Sequence, residues 1–293
     1  MMAPEYYIFT GGVVPFHVTH VLIDKSLKFV RKRAFYNHPN IEEVICHDGV
    51  EKIEEYAFHN CPRLRRAIMP GVKEVVLHAF NRCEALTYIE CSKLERIGEY
   101  AFHKCTSLNS IDLPSAKIVG GYAFRGCTKL ENANFGKELE SIRENAFYYC
   151  LSLERITLPL KDGMVSDDTS GWGGTFLYCE KLNHIDLVEG VHETVAALLM
   201  EEWKNDMNEE IDAISQILPN TRAGSWKDPG GKAQAIRRWI TSVLRKYNHY
   251  KAEHRRHLNV AAATLQQALP NDIVMKNILP FLELPPHTFD GED

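Results

Sequence analysis

One short pattern returns along the first two thirds of this chain, and it restricts the fold more than any other feature. The dipeptide Ala-Phe occurs six times at spacings of 22 or 23 residues, and a wider spacing of 29 precedes a degenerate Thr-Phe copy. The copies begin at Ala34, Ala57, Ala79, Ala101, Ala123, Ala146 and Thr175. A fixed period of roughly 20–50 residues is typical of solenoids and related arrays.

Other positions keep the same rhythm. Three residues after each Phe stands a cysteine, except for His38 in the first copy, and three further on stands an apolar residue such as Leu108. An apolar pair spaced by one then follows, as in Ile111 and Leu113, which is the alternation of a short strand. One coil cannot bury its own apolar side, so the coils must stack on each other. The cysteines are Cys61, Cys83, Cys105, Cys127, Cys150 and Cys179.

The coil "IGEYAFHKCTSLNSIDLP" resembles the leucine-rich repeats of BspA (bacterial surface antigen A) type. The fold class that this resemblance implies for residues 16–190 is an α/β leucine-rich repeat solenoid, with short stacked strands and 22–23-residue coils. The periodicity of the remaining chain predicts that an α-helical C-terminal hairpin follows it. We place a segment at 1–15, the solenoid of about seven coils at 16–190, and a helical region at 191–293. The whole arrangement also resembles uncharacterised leucine-rich repeat proteins of diatoms, which implies no activity.

The cysteines and histidines of the repeat could suggest chemistry. Closely paired ligands of the kind that bind zinc are missing from the sequence, and coils about 5 Å apart are near disulfide distance. We expect the repeated cysteines to be apolar fillers of the core, and a disulfide remains the lesser alternative. His103 belongs to a column after the Phe that we expect at the surface. The column comprises Tyr36, His59, Asn81, His103, Arg125, Tyr148 and Leu177.

The outward strand positions are the better candidate for a binding face. They are the residues before and after the central apolar residue of each strand, and they carry mixed charge without a stripe of Lys and Arg. Nucleic acid would require such a stripe, so we expect a protein or peptide partner and no nucleic acid. The candidates are Glu43, Arg66, Tyr88, Glu90, Ser110, Asp112, Asn132, Asn134, Arg155, Thr157, His184 and Asp186, and Ile45 and Ile68 share the face.

The wide spacing before the last copy indicates a protruding loop, "KDGMVSDDTSGWGGTF" at 161–176, rich in Gly, Asp and Ser. Its glycines lack the Lys-Ser/Thr of a phosphate loop, and its acids lack the spacing of a calcium loop. Trp172 either packs on the solenoid or is an exposed contact residue. We include Trp172 among the candidate contact residues.

After residue 190 the rhythm changes to that of amphipathic helices, which we predict at 192–218, 232–269 and 271–282. The first face comprises Val195, Leu199, Trp203, Met207, Ile211, Ile214 and Leu218. Residues 192–218 hold seven acids and one lysine, a net charge of −6, whereas residues 232–257 hold eight Lys or Arg and one acid, a net charge of +7. This complementarity predicts an antiparallel hairpin. Trp203 and Trp239 could seal it within a monomer or across a homodimer.

Two readings of these helices compete with a simple cap. The basic helix could meet an anionic surface or a groove, and its His249, His254 and His257 could bind metal, although a solvated polar face is favoured. "LPNDIVMKNILPFL" at 269–282 resembles the opening of an F-box, the motif that docks substrate adaptors onto a ubiquitin ligase. That resemblance covers 14 residues and implies a docking role for this segment.

Composition narrows the class of function. The chain carries a net charge of −5 and no apolar run long enough to span a membrane, and its first residues lack the pattern of a secretory signal. We therefore expect a cytoplasmic or nuclear protein. No convergent acid, base or nucleophile stands out, so we expect no enzyme, no cofactor and no metal. The predicted function is an intracellular protein-interaction scaffold; the alternatives are an F-box-like adaptor and a surface adhesin.

Overall fold

The computed structural model describes residues 5–166, 174–224, 231–269, 273–278, 280 and 284. Fifteen short strands precede the helices. They are β1 (Tyr7–Phe9), β2 (His20–Ile23), β3 (Phe29–Val30), β4 (Glu43–Ile45), β5 (Lys52–Ile53), β6 (Arg66–Ile68), β7 (Glu74–Val75), β8 (Tyr88–Glu90), β9 (Arg96–Ile97), β10 (Ser110–Leu113), β11 (Ile118–Val119), β12 (Asn132–Phe135), β13 (Ser141–Ile142), β14 (Arg155–Leu158) and β15 (His184–Leu187).

The strands stack as the coils of a solenoid. One side of the coils carries a five-stranded sheet in the order β1-β2-β4-β6-β8, and β10-β12-β14-β15 form a four-stranded sheet at the equivalent positions of the later coils. A six-stranded sheet, β13-β11-β9-β7-β5-β3, forms a second side. All described pairings are parallel, as the stacking of successive coils requires. The predicted solenoid is therefore confirmed.

The third side of each coil is a tight turn around the Ala-Phe pair, and neighbouring turns are joined by backbone hydrogen bonds. The N–H of Phe102, for example, donates to the carbonyl oxygen of Ala123 at 2.8 Å. Each of the first six turns holds two residues in the left-handed region, such as Tyr100 at φ 54° and Lys104 at φ 59°. This conformation is unfavourable for residues other than glycine, and the hydrogen bonds between turns offset that cost.

The interior is a set of columns, one side chain per coil. The repeated Phe rings stack face to face from Phe35 to Phe176, with centroids 4.7–5.6 Å apart. The repeated cysteines are fully buried and free. Each thiol of this column donates to the carbonyl oxygen of a Phe in the preceding coil, as Cys61 does to Phe35 at 3.0 Å. The prediction that the cysteines fill the core is confirmed.

The solenoid includes part of the segment that we separated as 1–15. Strand β1 pairs with β2 through Tyr7 and Val21, and Phe9 extends the Phe column with its ring centroid 4.7 Å from that of Phe35. This first strand carries no Ala-Phe pair, so the repeat pattern did not reveal it. Its run of strand-favouring residues, Tyr7-Ile8-Phe9, was the available signal.

The segment that we predicted as one helix over 192–218 is divided into three. They are α1 (Val191–Ala196), α2 (Glu201–Asp212) and α3 (Ile214–Asn220). Met200, before α2, is extended, with φ −100° and ψ 132°. Because the chain turns between α1 and α2, the buried residue is Leu198, whereas Leu199, which we placed on the buried face, is 41% exposed.

The basic helix α4 (Gly231–Gln266) is one continuous element that runs antiparallel to α2 and α3. Its Trp239 Nε1 donates to the carbonyl oxygen of Glu210 at 2.9 Å, and Trp203 stacks on Tyr250 at 5.4 Å. Both tryptophans therefore seal a hairpin within one chain. His254 is buried rather than on a polar face, because it continues the stripe of Tyr247 one helical repeat later.

The helical hairpin closes the C-terminal end of the solenoid. Helix α3 packs on β15, the last strand of the four-stranded sheet. The ammonium group of Lys232 is buried against the last coil and donates to the carbonyl oxygens of Glu180, at 3.0 Å, and Leu182. A terminal coil has no neighbour to cover its core, and α3 and α4 supply that cover.

The predicted last helix, 271–282, lies largely outside the described residues. What is described is a π-helix, Val274–Ile278, that packs on α4 and buries Val274. This packing fits a cap. The F-box-like docking role of 269–282 stays a prediction.

Candidate functional site

The outward face of the five-stranded sheet consists of two columns of side chains set by the strand register. His20, Glu43, Arg66 and Tyr88 are paired across β2, β4, β6 and β8. The second column lies two residues further along each strand and begins on β1. It comprises Ile8, Leu22, Ile45, Ile68 and Glu90. The structure thus places the predicted residues of this half on one outward face.

Four consecutive members of the second column are apolar, and we call Ile8, Leu22, Ile45 and Ile68 the apolar ladder. Ile8 is 55% exposed and Leu22 is 37% exposed, and the other two are half-buried by their neighbours. Ile8 and Leu22 were missed from the sequence because their strands have no preceding Ala-Phe pair. Stepping back 23 residues from Ile45, one repeat length, would have found Leu22.

The first column beside the ladder is held in place by polar contacts. The hydroxyl of Tyr6 donates to the carboxylate of Glu43, and Nε of Arg66 lies 3.0 Å from the same carboxylate. The hydrogen bond to Glu43 is the main reason that the pKa of Tyr6 lies above its usual value. The guanidinium of Arg66 then lies over the ring of Tyr88, 5.3 Å from its centroid. These contacts hold the side chains of this column in defined positions.

The four-stranded sheet continues the face with polar side chains. Its two columns pair Ser110 with Asn132, Arg155 and His184, and Asp112 with Asn134, Thr157 and Asp186. Arg155 Nη1 donates to both carboxylate oxygens of Asp186, at 2.7 and 2.8 Å, and the hydroxyl of Thr157 donates to Asn134 Oδ1 at 3.0 Å. All eight predicted residues are exposed or half-buried. The predicted face therefore has two halves: the five-stranded half carries the apolar ladder, and the four-stranded half is polar.

Trp172 lies outside the described residues, as does the rest of 167–173. Its role as a contact residue stays a prediction. The flanking residues 164–166 pair with β13: Ile142 N–H donates to Met164 O at 2.7 Å and Ser166 N–H donates to Ile142 O at 3.0 Å. The described part of the insertion thus begins as an added edge of the six-stranded sheet.

The column after the Phe is less exposed than we expected. His59 and His103 are half-buried and Asn81 is buried, because the rings stack on one another, as Tyr36 does on His59 at 5.0 Å. Burial lowers the pKa of His103 to about 4, and the nearby Arg125 acts in the same direction. A neutral imidazole that lies edge-on to the ring of Tyr100 is a structural element of the stacked turns.

The cysteines are equally unsuited to chemistry. Burial raises the pKa of Cys46, Cys91 and Cys127 to about 12, so the nucleophilic thiolate is not populated at neutral pH. Among the described residues, no group of three His, Cys, Asp or Glu side chains is arranged to hold a metal ion. Over the same residues, no helix is both long and apolar enough to cross a membrane.

Comparisons with known proteins agree with this geometry. A model of the BspA-type leucine-rich repeat region matches the chain with six copies, over residues 28–119 and 95–197. Together these matches span more than half of the chain. Among functionally curated proteins none matches significantly.

Two solved structures illustrate the similarity. A leucine-rich repeat protein from Bacteroides ovatus is 30% identical, with a TM-score of 0.48, and the match covers 59% of this chain and 43% of that one. The T. pallidum leucine-rich repeat protein TpLRR is 26% identical, with a TM-score of 0.42, covering 50% of this chain and 69% of the other. The resemblance to diatom proteins stays a prediction. The repeats, their stacking and the family match show that the chain belongs to the BspA-type leucine-rich repeat family.

Proposed function

We propose that this protein is a non-catalytic interaction scaffold that binds a polypeptide on the outward face of its five-stranded sheet. The observation that carries the proposal is the apolar ladder. Ile8 and Leu22 project apolar surface into water beside half-buried Ile45 and Ile68, in one continuous column. Single exposed apolar residues are ordinary, whereas a contiguous apolar patch rimmed by polar side chains is typical of a binding surface.

The rim next to the ladder has the composition of an interface. Arg66 and Tyr88 belong to the residue types that dominate binding energy at protein interfaces, and Tyr88 is 48% exposed. The Tyr6–Glu43–Arg66 contacts order these side chains in advance. Less ordering entropy then opposes association, which favours affinity.

The chemistry of the partner follows from this face. Because Arg66 is paired with Glu43, the five-stranded half offers an apolar column and little net charge, which suits an apolar ridge on a folded protein or peptide. The polar four-stranded half supplies hydrogen-bonding groups at the end of the same surface, including Asn132 and Asn134. Phosphodiester backbones would instead require clustered cations.

A photo-crosslinking experiment tests the proposal. A photoreactive residue is placed at Ile45, and the captured partner is identified by mass spectrometry; the same residue at Val260, 63% exposed on α4, is the control. We expect one partner to crosslink at residue 45 and not at residue 260. Its binding should be lost in Ile45→Asp/Ile68→Asp and retained in Val260→Asp. Retention of the partner in the double variant, or in Arg66→Ala/Tyr88→Ala/Arg155→Ala, would overturn the proposal.

We also propose that the protein works as a monomer in the cytoplasm or nucleus. The intramolecular use of Trp239 in the hairpin supports the first part, since its indole is buried and already hydrogen-bonded. The eight free cysteines are compatible with a reducing compartment. Sedimentation velocity and cell fractionation test these statements. A dimer that is lost in Trp203→Ala would contradict the first, and recovery of the protein at the cell surface, as expected for an adhesin, would contradict the second.

A further inference from the structure

A cleft of about 770 Å³ lies between the last coils of the solenoid and helix α4, away from the outward sheet face. Its floor is formed by β13, Arg143 and residues 161–166, and its wall by residues 237–245 of α4. The cleft is anchored where Thr241 Oγ1 lies 3.2 Å from Asp162 Oδ1 and where Arg237 donates to the carbonyl oxygen of Ser166. These two contacts, between α4 and residues 162 and 166, therefore fix the width of the cleft.

The cleft is strongly basic in a protein of negative net charge. Five cationic side chains line it, and Asp162 is the only acidic residue of its described lining. The carboxylate of Asp162 is occupied by neutral donors, the N–H of Gly163 at 3.1 Å and the hydroxyl of Thr241. The cationic residues are Arg143, Lys161, Arg237, Arg238 and Arg245.

Four of these cations are not held by an ion pair among the described residues. Arg143, Lys161, Arg238 and Arg245 make no ion pair there, in contrast to Lys246 one residue further along α4, which contacts both Asp206 and Glu210. Like charges that converge on a concave wall repel each other and focus a positive potential into it. Such a cluster is stabilised when an anion enters.

The lining also indicates the kind of anion. Guanidinium groups match phosphate oxygens in geometry and charge, and the hydroxyls of Ser141 and Thr241 lie among the cleft's lining residues. The volume falls within the roughly 300–1,000 Å³ of small-molecule sites. No aromatic ring belongs to the described part of the lining.

We propose that this cleft binds a small molecule bearing several clustered phosphate groups. The recognised chemistry is the phosphate cluster, which a soluble inositol polyphosphate and a phosphoinositide headgroup share. The site is distinct from the proposed polypeptide-binding face, so each can fail without the other.

Calorimetric titration tests the proposal with inositol hexakisphosphate and with vesicles containing phosphatidylinositol bisphosphate, at about 150 mM salt, where weak surface attraction is screened. The test variant, Arg143→Gln/Arg245→Gln, removes one arginine from the floor and one from the wall. The control, Arg96→Gln/Arg255→Gln, removes one exposed solenoid arginine and one exposed α4 arginine outside the cleft. We expect saturable binding of one probe molecule, weakened about tenfold or more in the test variant and unchanged in the control.

Binding of soluble probe alone identifies a free polyphosphate as the source of the phosphates, and binding of vesicles alone identifies a headgroup; both support the proposal. A second measurement, the stability of the protein without any ligand, tests the predicted repulsion between the cations. Without anion at low salt, the test variant should have a urea midpoint equal to or above that of the wild type, because repulsion is relieved. Absence of binding to both probes, or equal weakening in test and control variants, overturns the proposal.

Discussion

The thiol of Cys105 donates a hydrogen bond to the carbonyl oxygen of Phe80, 25 residues earlier, with Sγ and O 3.3 Å apart. The same bond recurs from Cys83, Cys127 and Cys150. Each one joins a coil to the turn of the coil before it, inside a core that excludes water. The repeated cysteine therefore both fills the core and donates a hydrogen bond.

Burial of the thiols predicts a loss of stability in alkali. The pKa of Cys127 is raised to about 12 in the folded chain from the usual 9.0. A raised pKa contributes stability below pH 9 that is lost as the pH rises toward 12, because the unfolded chain loses its protons first. Urea midpoints measured from pH 8 to about 10.5 should fall, and the slope should be shallower in Cys127→Ala. Equal slopes in both proteins would contradict the prediction.

Acid should destabilise the stacked turns through protonation of His103. Burial, with added repulsion from Arg125, Lys104, His78 and Arg82, lowers the pKa of this imidazole to about 4 from 6.5. A depressed histidine pKa gives stability that is present above pH 6.5 and lost as the pH falls toward 4, since the unfolded chain binds the proton first. His103→Gln should flatten this part of the pH–stability curve. His249→Gln, at an exposed position, should leave the curve unchanged.

The Phe column should dominate the stability of the solenoid. Phe102 is fully buried between Phe80 and Phe124, so Phe102→Ala should cost about 3–5 kcal/mol of unfolding free energy. Phe16, which is 70% exposed, provides the matched control, and Phe16→Ala should change stability by less than about 0.5 kcal/mol. Denaturant unfolding measures both, and comparable losses would show that the column is not what holds the coils.

A glycine sets how closely two coils approach. A Cβ on Gly136 would lie 2.0 Å from the carbonyl oxygen of Pro114, one coil earlier. Gly136→Ala must therefore push backbone apart, and we expect a loss of about 3 kcal/mol or more, the upper range of overpacking. At Gly12, nothing lies within 4 Å of an added Cβ, so Gly12→Ala should be tolerated. Thermal unfolding of the two variants is the direct comparison.

The contribution of an ion cluster in the hairpin to the free energy of unfolding can be measured. Lys246 Nζ lies 3.1 Å from Asp206 and 2.9 Å from Glu210, and all three groups are partly exposed. Lys246→Met should lower stability by about 1 kcal/mol in dilute buffer. The loss should shrink at about 1 M salt, because screening weakens partly exposed pairs. A variant of exposed Arg255 on the same helix, Arg255→Met, should show neither effect.

The repeat positions were predictable because each is set by one repeated environment. Phe102, Cys105 and Leu108 occupy equivalent places in every coil, so six copies report the same constraint. Ile8 and Leu22 were missed because the strands that carry them come before the first Ala-Phe pair. The exposure of Ile8 and Leu22 also depends on the side chains of the neighbouring coils. It is therefore a property of the whole stack and cannot be inferred from one coil.

The helical region was predictable in its pairing but not in its breaks. Opposite charge correctly placed the acidic helices against α4, as the contacts of Lys246 show. The chain turns at Met200, which exposes Leu199 and buries Leu198. No Gly or Pro marks that turn in the sequence, and helix propensity is a weak guide because tertiary context routinely overrides it.

The cap at one end of the solenoid has a consequence for how such a protein can change over evolutionary time. Hydrogen bonds and ring stacks connect each coil only to its two neighbours, so a duplicated 22-residue unit would meet the same partners as its parent. Duplication within the N-terminal coils would lengthen the apolar ladder, and duplication within the later coils would lengthen its polar continuation. Helices α3 and α4 would stay on the final coil in either case. The reach of the binding surface can thus evolve separately from the part of the chain that closes it.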